Sequence, residues 1–227
     1  MRRSPAVCAG SSPIATKRRS RPRRSLRMLR SWMTRLRHGL LLALLLLTSA
    51  CEAEPQRYEF TVQPVGGPRG WPVWVEYLTF DHAWQTPGGG LSAGFERRPP
   101  RSGSINILAH PMSAPQSVQA RWFSYRTQTF YEIDLALPDT DALLQQWHRD
   151  YPPPDYRHTL VAGFSGKGEV TVWWRARCRA CGGDRSRDFH APIVESAWAE
   201  EVEGDPATFR SQTQRRIDEG IIPSPWE

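Results

Sequence analysis

Two cysteines three residues apart, Cys178-Arg-Ala-Cys181, form the densest chemistry-bearing pair in the chain. That spacing serves three chemistries: a disulfide, half of a zinc site, or a dithiol redox centre. Zinc needs two further ligands, and although Asp184, Asp188 and His190 follow closely, no second Cys-x-x-Cys accompanies the first. A thioredoxin-like centre wants the motif at a helix N-terminus, whereas Gly182-Gly183 directly after Cys181 argue for a turn. The pair is therefore read as a structural disulfide or idle thiols, with metal and redox roles as the alternatives. Gly163-Phe-Ser165-Gly misses a nucleophile elbow, because Lys167 stands where glycine is needed and a strand pattern rather than a helix follows. His82, His110, His148, His158 and His190 show neither the i, i+4 spacing of metalloproteases nor a partnered acid in a motif, so each is read as a surface or rim histidine. Glu76, the one charge in Pro72–Phe80, is read as a rim residue or the partner of an arginine. No catalytic residue, metal ligand set or cofactor is assigned.

Compartment narrows these alternatives. Cationic residues up to Arg37, an apolar run from Leu40 to Leu47 and small residues before Cys51 make the three parts of an export signal. The run is far shorter than the roughly 20 residues a spanning helix needs. Because cysteine ends it, the stretch resembles a bacterial lipoprotein signal, which implies a diacylglycerol thioether and an acylated amine at Cys51. Residues 28–50 are then the signal, 1–27 an upstream extension that is mis-annotated or disordered, and 51–56 a short tether. Glu52 is not the aspartate associated with inner-membrane retention, so the periplasmic face of the outer membrane is expected. In that oxidising setting nearby thiols pair more readily than in the cytosol.

Charge follows the same division. Residues 1–50 carry 12 of the 30 Lys and Arg and none of the 23 Asp and Glu, leaving 18 basic against 23 acidic residues from Cys51 onward. The basic character belongs to the discarded part, so nucleic acid is a poor partner. Residues 57–227 suit one domain able to bury a core without metals.

Periodicity predicts the elements. Arg57–Val65 alternates as a half-buried strand, and Pro72–Phe80, dense in aromatic and β-branched residues, reads as a central strand covered on both faces. Gly88–Gly90 and Arg97–Gly103 read as loops, with a short strand at Ser104–Ala109. Val118–Tyr125 and Thr129–Leu137 form a hairpin, as do Thr159–Phe164 and Glu169–Arg175. Ala142–Arg149 is a helix with Asp139-Thr140-Asp141 at its start, Ile193–Trp198 a strand or short helix, and Asp205–Glu219 a thin-faced surface helix. The expected fold class is α+β, mainly an antiparallel sheet or sandwich with one or two flanking helices.

Trp71-Pro-Val-Trp-Val-Glu76, Arg121-Trp-Phe-Ser124, Thr129-Phe-Tyr-Glu132, Leu137-Pro138, Val161-Ala-Gly-Phe164 and Gly168-Glu-Val-Thr-Val-Trp173 occur in that order after the signal. In this the chain resembles a proteobacterial lipoprotein family, domain-of-unknown-function family 2931, over about Tyr58–Trp174. These motifs are aromatic and structural. The resemblance implies a periplasmic lipoprotein, with immunity toward a secreted effector as one role. Taken with the residues, the expectation is a non-enzymatic protein-binding module joined to the membrane at Cys51, whose partner is another envelope or secreted protein. An envelope hydrolase with an unrecognised site and a structural envelope component are the alternatives. Trp84 and Tyr151, aromatic residues in apparent loops, are the expected partner contacts, and Trp226 is a further ring to watch.

Overall fold

The computed structural model describes residues 56–96, 100, 107–108 and 111–226. The export signal, Cys51, nearly all of the tether, His110 and most of Ser104–Ala109 lie outside the described residues. The alternating stretches assemble into two sheets. In chain order the strands are β1 (Thr61–Gly66), β2 (Val73–Phe80), β3 (Trp84–Thr86), β4 (Gly89–Leu91), β5 (Ile107–Leu108), β6 (Ser117–Ser124) and β7 (Thr129–Ala136). After helix α1 (Thr140–Asp150) come β8 (Tyr156–Phe164), β9 (Glu169–Cys178), β10 (Phe189–Trp198) and β11 (Glu200–Val202). A 3-10 turn, Pro206–Phe209, leads into α2 (Arg210–Asp218).

The first sheet runs β10-β9-β8-β1-β5, and the second β11-β7-β6-β2-β3 with β4 also on β2. Pairing is antiparallel except for β1 with β8, which lie parallel with Val62 opposite Leu160. Leaving β10, the chain changes sheets at Ala199 and continues as β11, an edge of the second sheet. This is an α+β fold dominated by sheet.

Inward side chains explain the stacking. Val62, Leu160, Phe164, Val172 and Trp174 from the first sheet share one buried cluster with Val75, Leu78, Phe80, Trp122 and Ile133 from the second. Burying such surface is the main driving force for the fold. The fully buried indole of Trp122 packs on Tyr131 and Phe164 at 5.6 and 5.2 Å, and its Nε1–H donates to the Ser165 carbonyl at 2.9 Å. A buried indole thus keeps its one donor satisfied. Gly168, at φ +92° in the β8–β9 turn, has no room for a side chain: a Cβ would stand 2.8 Å from the Tyr131 ring. That hairpin therefore needs glycine both for its conformation and for the close approach.

Helix α1 begins where Asp139 accepts from the Ala142 N–H at 3.2 Å, two residues earlier than periodicity suggested. It buries Leu144 and Trp147, the latter stacked on Trp174 at 6.0 Å, whereas Leu143 is only half-buried. The helix lies against the end of the first sheet where β8 starts and β9 finishes.

Several expectations need correction. The Trp84–Gly90 stretch is not a loop, because backbone pairing with β2 makes it two short edge strands, β3 and β4. β1 is buried on both sides, with Gln63 and Val65 as inaccessible as Val62. β2 is covered on one face, by burial of Val73, Val75, Leu78 and Phe80, whereas on the other Trp74, Tyr77 and Thr79 are only half-buried and Glu76 is exposed. Asp205 caps a 3-10 turn rather than a continuous helix, accepting from the Ala207 N–H at 2.9 Å. The segment does lie on the surface as expected, and Phe209, from the turn, ties it down by burial among Phe123, Tyr125, Phe130 and Ile222.

Candidate functional site

Strand alternation puts Trp74, Phe123 and Phe130 on the outer face of the second sheet, where apolar rings need a cover. The C-terminal segment supplies it. Phe209 stacks on Phe123 at 4.6 Å and lies 6.0 Å from both Trp74 and Phe130. Further along the same strands the outward residues turn polar, and the cover stops. What is left is an open groove of about 780 Å³ lined by Tyr77 and Thr79 of β2, Gln119 of β6, Glu132 and Asp134 of β7, and Glu200 and Val202 of β11, with His82 and Trp198 at its margin.

Several of the polar groups in and beside the groove are held in place. Arg121 lies beside the groove between two carboxylates, its Nε 2.7 Å from Glu76 and its Nη1 3.3 Å from Glu132, while its Nη2 donates to the Glu203 carbonyl at 2.7 Å. Glu76 is thus the partner of an arginine. The Tyr77 hydroxyl donates to Glu132 at 2.7 Å; burial first, then this bond, pushes its pKa up to about 12. Gln119, 7% exposed, donates through Nε2 to Ser117 and Asp134 at 2.8 and 2.9 Å and accepts from the His82 N–H at 3.1 Å. Asp81 and His82 form the β2–β3 turn with φ of 53° and 52°, a left-handed pair that disfavours side chains. Asp81 offsets that cost by accepting from the Gln116 and Ser117 N–H groups at 2.7 and 2.9 Å. The turn holds the His82 Nε2 3.7 Å from Asp134. Trp198, at the sheet crossover, is 66% exposed, the most open large apolar side chain among the described residues.

The expected site residues fall elsewhere. Trp84 is half-buried in β3, stacked on Phe80 at 5.2 Å. Tyr151 ends α1 with its ring stacked on Phe189 at 4.3 Å. Neither is a free loop ring, and the structure does not bring them together. Trp226 is 48% exposed, with the Arg210 guanidinium 5.7 Å from its ring. Cys178 and Cys181 are disulfide-bonded, with Cα atoms 5.6 Å apart, and the Cys178 N–H donates to Asp188 at 2.9 Å. Ser165 is buried in the β8–β9 turn, where its Oγ accepts from the Lys167 N–H at 3.1 Å. His158 is buried as well, its Nδ1 accepting from the Trp174 indole at 3.1 Å and its Nε2 2.7 Å from the Tyr151 carbonyl. His148 stacks on it at 4.0 Å. Among the described residues no cluster of three or more His, Cys, Asp or Glu could hold a metal ion, and no helix is long and apolar enough to cross a membrane.

Sequence reasoning missed Trp198 and the groove. Phe130, Glu132 and Asp134 alternate with Tyr131, Ile133 and Leu135, so the charge of β7 is turned outward. What that alternation lacked was β11: three residues, two of them acidic, carry no strand signal of their own.

The family model described as "Protein of unknown function (DUF2931)" matches residues 48–224, extending past β9 to include β10, β11 and α2. No curated protein and no solved structure matches the chain.

Proposed function

We propose that this chain, which belongs to the DUF2931 family of proteins of unknown function, is a non-enzymatic module that binds another protein through the open groove of its second sheet. One observation carries the reading: the C-terminal segment seals half of that outer face, while the adjoining half stays open beside a tryptophan that is 66% exposed. Large exposed rings next to a concave polar surface are characteristic of protein contacts. The reading includes a lipid anchor at Cys51, since a lipidated cysteine at the end of an export signal would hold the module at a membrane, on the periplasmic face of the outer membrane. Neutralising a secreted effector is the specific role that the family resemblance suggests for such a module.

The test places a photo-crosslinking amino acid at position 198 in cells of the producing organism, with Gln146 on the exposed face of α1 as control. A discrete protein adduct from position 198 and none from position 146 is the expected result. No adduct, or the same adducts from both positions, would overturn the reading.

A further inference from the structure

We propose that the groove is built for a cation, so that the segment it takes from its partner carries arginine or lysine side chains. This rests on the binding reading above and names the chemistry of the partner. Three carboxylates line the groove, Glu132, Asp134 and Glu200, and all are acceptors only. Two of the neighbouring donors are already engaged, and the His82 Nε2 stands 3.7 Å from Asp134. Tyr77 gives its proton to Glu132, and Gln119 gives both amide hydrogens to Ser117 and Asp134. Arg121, the cation bordering the groove, is held between Glu76 and Glu132 and by the Glu203 carbonyl. What remains is acceptor capacity together with an open indole face.

A guanidinium or ammonium matches that remainder on both counts. It brings several donors and no acceptor, and its charge is attracted by the ring quadrupole of an indole. A sugar would need donors as well as acceptors from the site, and an acidic segment would meet like charge. Neighbouring residues strengthen the preference: Glu201 and Glu203 flank Val202 on the same edge strand and its exit. The chain from Cys51 onward carries 18 basic and 23 acidic residues in all, so a basic partner is steered toward it at long range.

The probe is a short fluorescent peptide of alternating arginine and serine, compared with its glutamate counterpart and with a neutral chito-oligosaccharide. Each is titrated against the detergent-solubilised full chain. The arginine peptide should bind, and more weakly as salt is raised. Trp198→Ala should lower its affinity about tenfold or more, as loss of an aromatic anchor does, with Trp198→Tyr restoring much of it. Asp134→Asn combined with Glu200→Gln should lower affinity comparably and flatten the salt dependence, while Trp226→Ala leaves binding unchanged. Thermal melting of each variant separates lost binding from lost fold. Equal binding of the glutamate peptide, preference for the sugar, no binding of the arginine peptide, or indifference to the Trp198 and carboxylate changes would overturn the inference. Should position 198 still crosslink to a protein while the arginine peptide fails, the binding reading stands and the charge assignment falls. Should both fail, both fall.

Discussion

His158, expected at the surface or rim, is buried, and with His148 it has a packing role with a measurable consequence. Trp174 donates to Nδ1 of His158, so the ring proton belongs on Nε2, where it is donated to the Tyr151 carbonyl. Only the neutral ring satisfies both bonds. Burial, followed by the neighbouring His148, pushes the His158 pKa down to about 4, and burial also lowers that of His148. In the unfolded chain these rings titrate near the ordinary value of about 6.5, so between the two values the unfolded state binds more protons. Stability should therefore be full above about 6.5 and fall as pH drops toward about 4, by about 1–3 kcal/mol from His158. Thermal melts across that window test this, and His158→Gln should flatten the profile; a flat wild-type profile would sink the account. Tryptophans separate by burial in the same way. Trp122→Ala should cost about 3–5 kcal/mol, as a large core truncation does, whereas Trp198→Ala should shift stability by no more than about 0.5 kcal/mol. Trp84 and Tyr151 fall between these cases, because each is half-buried and stacked on a neighbour. Alanine at either should lower the melting temperature, so lost binding in those variants would not by itself mark a contact.

At the scale of elements, the C-terminal segment decides how much of the second sheet is left for a partner. Phe209 is the plug, and its ring contacts are all with the aromatic half of the sheet. Gln212 secures it through a hydrogen bond from the Tyr125 hydroxyl, and Arg216 lies 4.2 Å from the Tyr125 ring centre. Phe209→Ala should cost about 3–5 kcal/mol and expose the Phe123–Phe130 surface. The check is denaturant unfolding alongside dye binding to exposed apolar surface; unchanged stability would show that α2 is held by other contacts. This segment also shows where sequence legibility ends. Both hairpins, the apolar β2 and α1 were readable because local period and turn chemistry agree with tertiary burial at Val118, Phe164 and Trp147. Phe209 and Ile217 looked too sparse for a stable helix because amphipathicity counts residues on one element, and here a single ring meets a prepared aromatic surface. β3 and β4 were hidden for a similar reason. β4 begins Gly89-Gly90, which disfavours strand, and β3, although Trp84 and Thr86 suit one, is only three residues long; both are ordered by backbone pairing to β2. Trp198 was expected in a strand or short helix and is the last residue of β10, and its exposure follows from the crossing of the chain between sheets, which is a property of topology.

For the whole molecule, the entry point of the chain fixes how a lipid at Cys51 would orient it. Tyr58 pairs with Met112 by backbone hydrogen bonds of 2.7 and 3.0 Å, and its hydroxyl donates to Asp141 at 3.0 Å, so the chain enters beside α1. Five residues lead from Cys51 to Gln56, and at most ~3.6 Å per residue they span about 18 Å. The end of the sandwich that carries α1 should therefore lie close to the bilayer. The turns Tyr125–Gln128 and Ser165–Gly168 lie at the opposite ends of β6 and β8, and β8, with its 9 residues, sets them about 30 Å further out. Two measurements follow. Cys51→Ser should abolish palmitate labelling and release the protein from the membrane pellet, because the proposed anchor is the acylated cysteine itself. Label retained in that variant would end the lipid assignment. With the anchor intact, a fluorophore on Gln146→Cys in α1 should be quenched by lipids carrying a headgroup quencher, and one on Lys167→Cys should be far less affected. Equal quenching at the two positions would mean that the module lies on its side, and the groove would then be presented along the membrane instead of upright beside it.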